Sequence, residues 1–245
     1  MKILVINPNT SVGVTEKIKA LALDAASEQT QLEFVTAPYG VPYIATRTEA
    51  IVGAQVILEI LSERASEFDA VIIAAFGDPG IRAVREMFDI PVIGLAEASM
   101  LMACPLGRNF SIVSFSSRLE SWYRESVEWH GMQHRLASIR MLDAPFTDID
   151  SVQSELENML LELAHRAITE DEADVIITAG APLAGLAHRV RDRIPVPMVE
   201  GVCASVKMAE ALCALNPVTP TAGSFRRPAR KPTSGLSRAL SELIE

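Results

Sequence analysis

Cysteine is scarce in this chain. Only Cys104, Cys203 and Cys213 occur, and no two of them form a CxxC pair. That excludes a disulfide framework and a paired-thiol redox or metal motif. Long apolar runs are missing as well. The longest clean run, Val71 to Phe76, is far below the roughly 18 residues that a membrane span needs, so no membrane partner is expected. The four apolar residues after Lys2 give way to Asn7-Pro8, too few for a signal-peptide core. With reduced thiols, this makes a cytoplasmic location the expectation. Basic charge is in deficit: 22 Lys and Arg stand against 31 Asp and Glu, a net charge of −9. A surface that acidic repels phosphate backbones, so nucleic acid is not an expected partner. The chain has no GxGxxG, no Walker loop and no HExxH, and neither a cofactor nor a metal is expected. His130 and His134 have i,i+4 spacing, but Gly131, and no acidic ligand, lies between them. They are expected at a surface helix end.

What is present is a repeating pattern. Short apolar runs of 4–8 residues, each ended by turn formers, indicate buried parallel strands. Such runs lie at residues 2–6, 32–37, 70–75 and 91–95. Helical stretches follow each: to about residue 27, then 47–65, one carrying Val84 and Met87, and 97–106. In the second helix Ile51, Val56, Ile57, Ile60 and Leu61 come close to a 3.6-residue period. Alternating strands and helices give a parallel sheet with helices on both faces.

The pattern restarts at Phe110-Ser111-Ile112-Val113. Asp69 to Ile73 is similar to Ala173 to Ile177, and each run leads to a turn ending in glycine, Gly80 or Gly185. Ile-Pro-Val then follows at Ile90 and again at Ile194. This ordered series of paired landmarks is an internal duplication. It predicts two similar α/β lobes related by a pseudo-twofold axis, with the site in the cleft between them. The first lobe is expected over 1–97, completed by an arm and helix within 206–245, and the second over 98–205. Beyond Asn216 the chain is rich in proline, with a basic cluster at Arg226 to Lys231, and reads as an extended arm.

Ligands of open parallel sheets bind at the carboxyl ends of the strands. Four loops are expected there: 7–11, 75–80, 114–117 and 179–185. Asn7, Asn9, Thr10 and Ser114 supply neutral hydrogen-bonding groups. Helix starts behind them offer free N–H groups to a carboxylate or imide oxygen.

Several motifs resemble one family. They are Ile-Asn-Pro-Asn-Thr at Ile6 to Thr10, Phe-Gly-Asp-Pro-Gly at Phe76 to Gly80, and Leu-Ala-Gly-Leu-Ala at Leu183 to Ala187. Pro91 to Gly94 before Glu97-Ala98, Glu200-Gly201-Val202, and Thr233 to Ser237 add to the likeness. Together they resemble the hydantoin racemase branch of the Asp/Glu racemase family, from the first strand into the tail. The resemblance implies two α/β lobes, a small-molecule substrate that is a carboxylate or cyclic imide or ureide, and a homo-oligomer. It also implies cofactor-independent proton transfer next to a carbonyl, performed by two cysteines, one per lobe.

On that resemblance the thiol positions fall at Ala75 and Gly180, so both thiols are absent; Pro182 departs from the family pattern too. A methyl group and a hydrogen cannot move a proton, which excludes the two-thiol route. Asp78 and Cys203 are the candidate replacements: Asp78 is the ionisable group nearest the first loop, and Cys203 stands near a helix start, where a thiol's pKa falls. Glu97 is a further candidate. Substrate contacts are expected from Asn7, Asn9, Thr10, Phe76, Gly77, Ser114, Phe115 and Ala181. The expected function is a racemase-like isomerase. The alternatives are a lyase or decarboxylase on a small dicarboxylate, or an inactive binding protein.

Overall fold

The computed structural model describes residues 1–142, 152–180 and 183–245, the side chains of 152–156 aside. The first half runs β1 (Lys2–Asn7), α1 (Val12–Ala25), β2 (Gln31–Thr36), α2 (Arg47–Arg64), β3 (Ala70–Ile73), α3 (Ile81–Met87), β4 (Val92–Gly94) and α4 (Leu95–Ala103). The second half runs β5 (Phe110–Ser114), α5 (Glu120–Trp129), β6 (Leu136–Met141), α6 (Val152–Asp171), β7 (Val175–Thr178), α7 (Leu186–Val190), β8 (Met198–Glu200) and α8 (Gly201–Leu215). A last helix, α9 (Arg238–Ile244), follows the arm.

Two four-stranded sheets form, in the orders β2-β1-β3-β4 and β6-β5-β7-β8. Every pairing is parallel. The two orders are the same when four is added to each strand number, which is the duplication read from the sequence. Register repeats as well. Ile6 lies opposite Ile73, and Val113 opposite Thr178. Ile73 in turn faces Gly94, and Thr178 faces Glu200. Ala75 and Gly180 therefore stand at matching places, two residues past the end of β3 and of β7.

The last helix of each half crosses to the other sheet. Helix α8 packs on α1, β3 and β4, while α4 reaches β7 and β8. The lobe limits expected at 97/98 and 205/206 thus fall inside α4 and α8. Gly201 lets the two helices meet: a Cβ there would come 3.1 Å from Ser99 Oγ and 3.4 Å from Leu95 Cβ. At the far end of α8, the Glu210 carboxylate accepts from the Ser27 N–H at 2.7 Å and the Thr30 hydroxyl at 2.7 Å. Lys207 Nζ lies 3.0 Å from it. Burial works to raise the Glu210 pKa, but the Ser27, Thr30 and Lys207 hydrogen bonds outweigh it and hold it near about 2.

One helical stripe differs from its expectation. Ile51 is 72% exposed, while Val56, Ile57 and Leu61 are buried. The face that packs carries the small residues Ala50 and Gly53 instead. Gly53 allows close approach, since a Cβ there would lie 3.0 Å from Ile44 and 3.4 Å from Pro8. Helix α4 also begins directly at Leu95, with no turn after β4.

Glu210→Gln tests the α8 anchor. A depressed carboxylate pKa contributes stability above about pH 4.5 that is lost as pH falls through about 2. The variant should therefore lose about 1 kcal/mol at pH 7, or roughly 2–4 °C in Tm. The difference from wild type should shrink as pH falls from 4.5 and vanish only below about 2 in a calorimetric pH series.

Candidate active site

The strand ends of both sheets converge on a small cavity of about 50 Å³ that opens to solvent. The β1 loop is built by asparagines. Asn7 Nδ2 lies 3.0 Å from Asn9 Oδ1 and 3.0 Å from Thr15 Oγ1, and Asn7 Oδ1 accepts from the Asn9 N–H at 3.2 Å. Asn9 Oδ1 also accepts from the Ser11 N–H at 3.0 Å. These bonds use the Asn9 oxygen, and its Nδ2 has no hydrogen-bond partner among the described residues. Asn9 lines the cavity, as do Ala75, Phe76 and Gly180.

The other predicted residues lie around this set. Asn7 and Ser114 are buried supports, Ser114 Oγ donating to the Ala179 carbonyl at 2.8 Å. Thr10 is off the cavity, its N–H bonded to the Val41 carbonyl at 2.9 Å. Gly77, at φ +104°, leaves room for Trp122, whose ring a Cβ would meet at 2.6 Å. Phe115 packs edge-on to Tyr43 with ring centroids 5.6 Å apart. Ala181 and Pro182 lie outside the described residues.

Asp78 and Cys203 are not brought to the cavity. Asp78 holds φ +50°, and its carboxylate accepts from the N–H groups of Ala96 and Glu97, each at 2.9 Å. It caps α4. His130 Nε2 lies 3.1 Å from the same carboxylate, with its side chain only 8% exposed. The expected surface position for His130 is thus corrected: the fold, and not the sequence neighbourhood, supplies its acidic partners. The Cys203 thiol sits 3.7 Å from His188 Nε2 and does not line the cavity. It was expected to acidify at its helix start. Instead burial, and then the Glu200 carboxylate that caps the same helix, push it up to about 12. At neutral pH it carries no thiolate.

Other residues complete the wall: Tyr43, Trp122, Tyr123, Thr178, Glu200 and Gly201. Sequence reasoning did not single these residues out. The chain has only three tyrosines and two tryptophans, and two and one of these line the cavity. The register position that holds Ile73 in the first sheet holds Thr178 in the second. Thr178 is 5% exposed, and its hydroxyl has no partner among the described residues. Beside it, α8 opens with the buried residues Gly201 and Val202, whose N–H groups a helix cannot satisfy internally. Glu200 Oε2 accepts the Cys203 N–H at 2.9 Å. Burial raises the pKa of both the Tyr43 and Tyr123 phenols, which are neutral hydrogen-bond donors. Among the described residues lining the cavity there is no Lys, Arg, His or Cys. No group of three or more His, Cys, Asp or Glu among the described residues could hold a metal ion.

Residues 3–209 match the Asp/Glu/Hydantoin racemase family. This chain belongs to that family. It is 33% identical over 232 residues to a hydantoin racemase of Pseudomonas sp. (strain NS671), covering 94% of this chain and 93% of the relative. A hydantoin racemase of Paenarthrobacter aurescens is 34% identical over 233 residues, covering 94% and 99%. The solved allantoin racemase from Klebsiella pneumoniae superposes with a TM-score of 0.91 at 34% identity, covering 99% of this chain and 98% of that one. As a member of this family, the chain is a racemase-like isomerase acting on a small molecule.

The two matching positions accept a thiol unequally. Gly180 has φ +100°, and a Cβ there would lie 2.3 Å from Phe115 Cε1. Gly180→Cys should therefore cost about 2 kcal/mol or more, from backbone strain and overpacking together. Ala75→Cys should cost under about 1 kcal/mol. Urea unfolding of the two single variants checks the difference, and equal midpoints would contradict it.

Proposed function

We propose that the inter-lobe cavity takes a small cyclic ureide or imide, or a related small carboxylate, and that proton transfer next to its carbonyl proceeds without thiols. The relatives support the ring substrate, since two are hydantoin racemases and one is an allantoin racemase. The observation that carries the reading is the chemistry of the wall. It offers neutral donors from Asn9, Thr178, the two phenols and the start of α8, with a single carboxylate, Glu200, and no cation among the described lining residues. A dianion there would be desolvated with no counter-charge and with Glu200 beside it. A neutral ring with adjacent N–H and C=O groups meets both kinds of partner. This disfavours the dicarboxylate lyase or decarboxylase.

Ala75 and Gly180 stand where the resemblance puts the thiols, and in this reading neither takes part in chemistry. Asp78 and Cys203 act on the protein rather than the ligand. The cavity carboxylate is Glu200, and we assign it the role of base: it takes the carbon-bound proton, a neutral phenol hydrogen-bonds the carbonyl oxygen that gains charge, water returns a proton to the other face of the ring, and the Glu200 carboxyl releases its own proton to water. The binding groups of the wall do not depend on the base, so recognition outlasts turnover in this chain. Binding without turnover is the limit of the same reading.

The three free cysteines support a reducing, cytoplasmic setting. The exposed arm beyond Asn216, with Val218 90% exposed, supports a homo-oligomer in which the arm meets a neighbouring copy.

Titration calorimetry with hydantoin, allantoin and succinate tests the site. The two rings should bind more tightly than succinate. Asn9→Ala and Thr178→Val should each weaken ring binding by about 1–3 kcal/mol, the cost of stranding a polar partner. Tighter binding of succinate, or unchanged binding in both variants, would overturn the reading.

A further inference from the structure

Beyond the cavity itself lies a buried charge cluster that the proposed chemistry does not use. His130 ends α5, yet its ring is enclosed by groups from the other half of the chain. Its Nε2 is 3.1 Å from Asp78 Oδ2 and its Nδ1 is 3.4 Å from Glu97 Oε1. Glu97 also pairs with Arg85 of α3, and Arg85 donates to the Val92 carbonyl at 3.1 Å and 2.7 Å. The Asp78 carboxylate in turn holds the start of α4. The cluster therefore fastens three things at one point: the 75–80 loop, the start of α4, and the end of α5.

Helix α5 carries Trp122 and Tyr123 into the cavity wall. Both lie against the loop that Asp78 anchors. The Phe76 and Tyr123 ring centroids are 4.8 Å apart, and the side-chain-free space at Gly77 receives the Trp122 ring. Among the described residues, the other polar ties between α5 and the first half are at the surface: Arg47 with Glu125, and Arg82 with the Trp129 carbonyl. Exposed pairs of that kind hold little.

We propose that His130 is a positioning residue: bridging Asp78 and Glu97, it draws α5 onto the 75–80 loop and so sets the aromatic wall of the ligand cavity. The ligand part of this rests on the function proposed above; the wall part does not. Four titratable groups belong to the cluster: His130, Asp78, Glu97 and Arg85. Burial works to lower the His130 pKa, but the hydrogen bonds to Asp78 and Glu97 outweigh it and raise it to about 9. Burial works to raise that of Glu97, and His130 and Arg85 together hold it near about 2. A raised histidine pKa gives stability in full below about pH 6.5 that is lost as pH rises through about 9.

The test follows Trp122, which is buried, in a Trp129→Phe background that removes the exposed indole. Acrylamide quenching reads the exposure of Trp122 with no ligand present. The indole should be protected at pH 7 and become quenchable as pH rises through about 9. In His130→Ala it should be quenchable at pH 7 already, with no further step near pH 9, and His130→Gln, which keeps a donor, should recover part of the protection. Hydantoin affinity at pH 7 should fall roughly fivefold or more in His130→Ala. If His130→Ala does not fold, the pH titration of the parent and the glutamine variant decide. Protection of Trp122 unchanged from pH 7 to 10 in the parent, or a step near pH 9 that persists without His130, would overturn the proposal. Opening of Trp122 in a protein that binds no hydantoin would leave the clamp standing and remove the ligand reading.

Discussion

The crossing of α4 and α8 is the constraint on which the other features depend. A parallel sheet must be covered on both faces, and here each sheet takes part of its cover from the other half of the chain. The crossing helices fix the two sheets as one body with their strand ends converging. The cavity is the space left between those ends, and α8 reaches it with its first residues. Close approach of α8 to α4 requires Gly201, so the packing of the lobes and the shape of the site depend on the same residue.

Duplication supplied two equivalent strand ends, and they have been put to different uses. In the first half Gly94 precedes α4 and has no side chain; a Cβ there would lie 2.2 Å from the Asp78 carboxyl carbon. Asp78 reaches through that space to cap the helix. In the second half Glu200 stands at the corresponding register and caps α8 itself. One end has thereby become a buried ionic joint involving His130, Glu97 and Arg85. The other has kept its carboxylate and an unpaired hydroxyl at the cavity.

The strands, their parallel order and the duplication were legible in the sequence, because short apolar runs ended by turn formers follow directly from burial on both faces. Three of the four expected loops, 7–11, 75–80 and 179–185, reach the cavity for the same reason, since they sit at the carboxyl ends of those strands, while 114–117 stays behind the wall and the Tyr43-Ile44 segment was not expected. Tyr43, Trp122 and Tyr123 were not legible, since aromatic side chains on a loop and a helix gain a common neighbour only when the sheets converge. His130 shows the same limit. Its partners are 52 residues away at Asp78 and in another helix at Glu97, so no local pattern marks it. The Cys203 thiol was misread because a helix start acidifies a thiol only if burial and a capping carboxylate do not outweigh it, and here both do.

The central claim is a racemase-family cavity that works on its ligand without thiols. Deuterium incorporation at C5 of enantiopure 5-methylhydantoin, followed by proton NMR, tests it most directly. The comparison is between wild type and a variant in which Cys104, Cys203 and Cys213 are all changed to Ser. The account predicts the same rate in both proteins once the uncatalysed background is subtracted. A wild-type rate that disappears in the cysteine-free protein, while that protein still binds the ring, would contradict it.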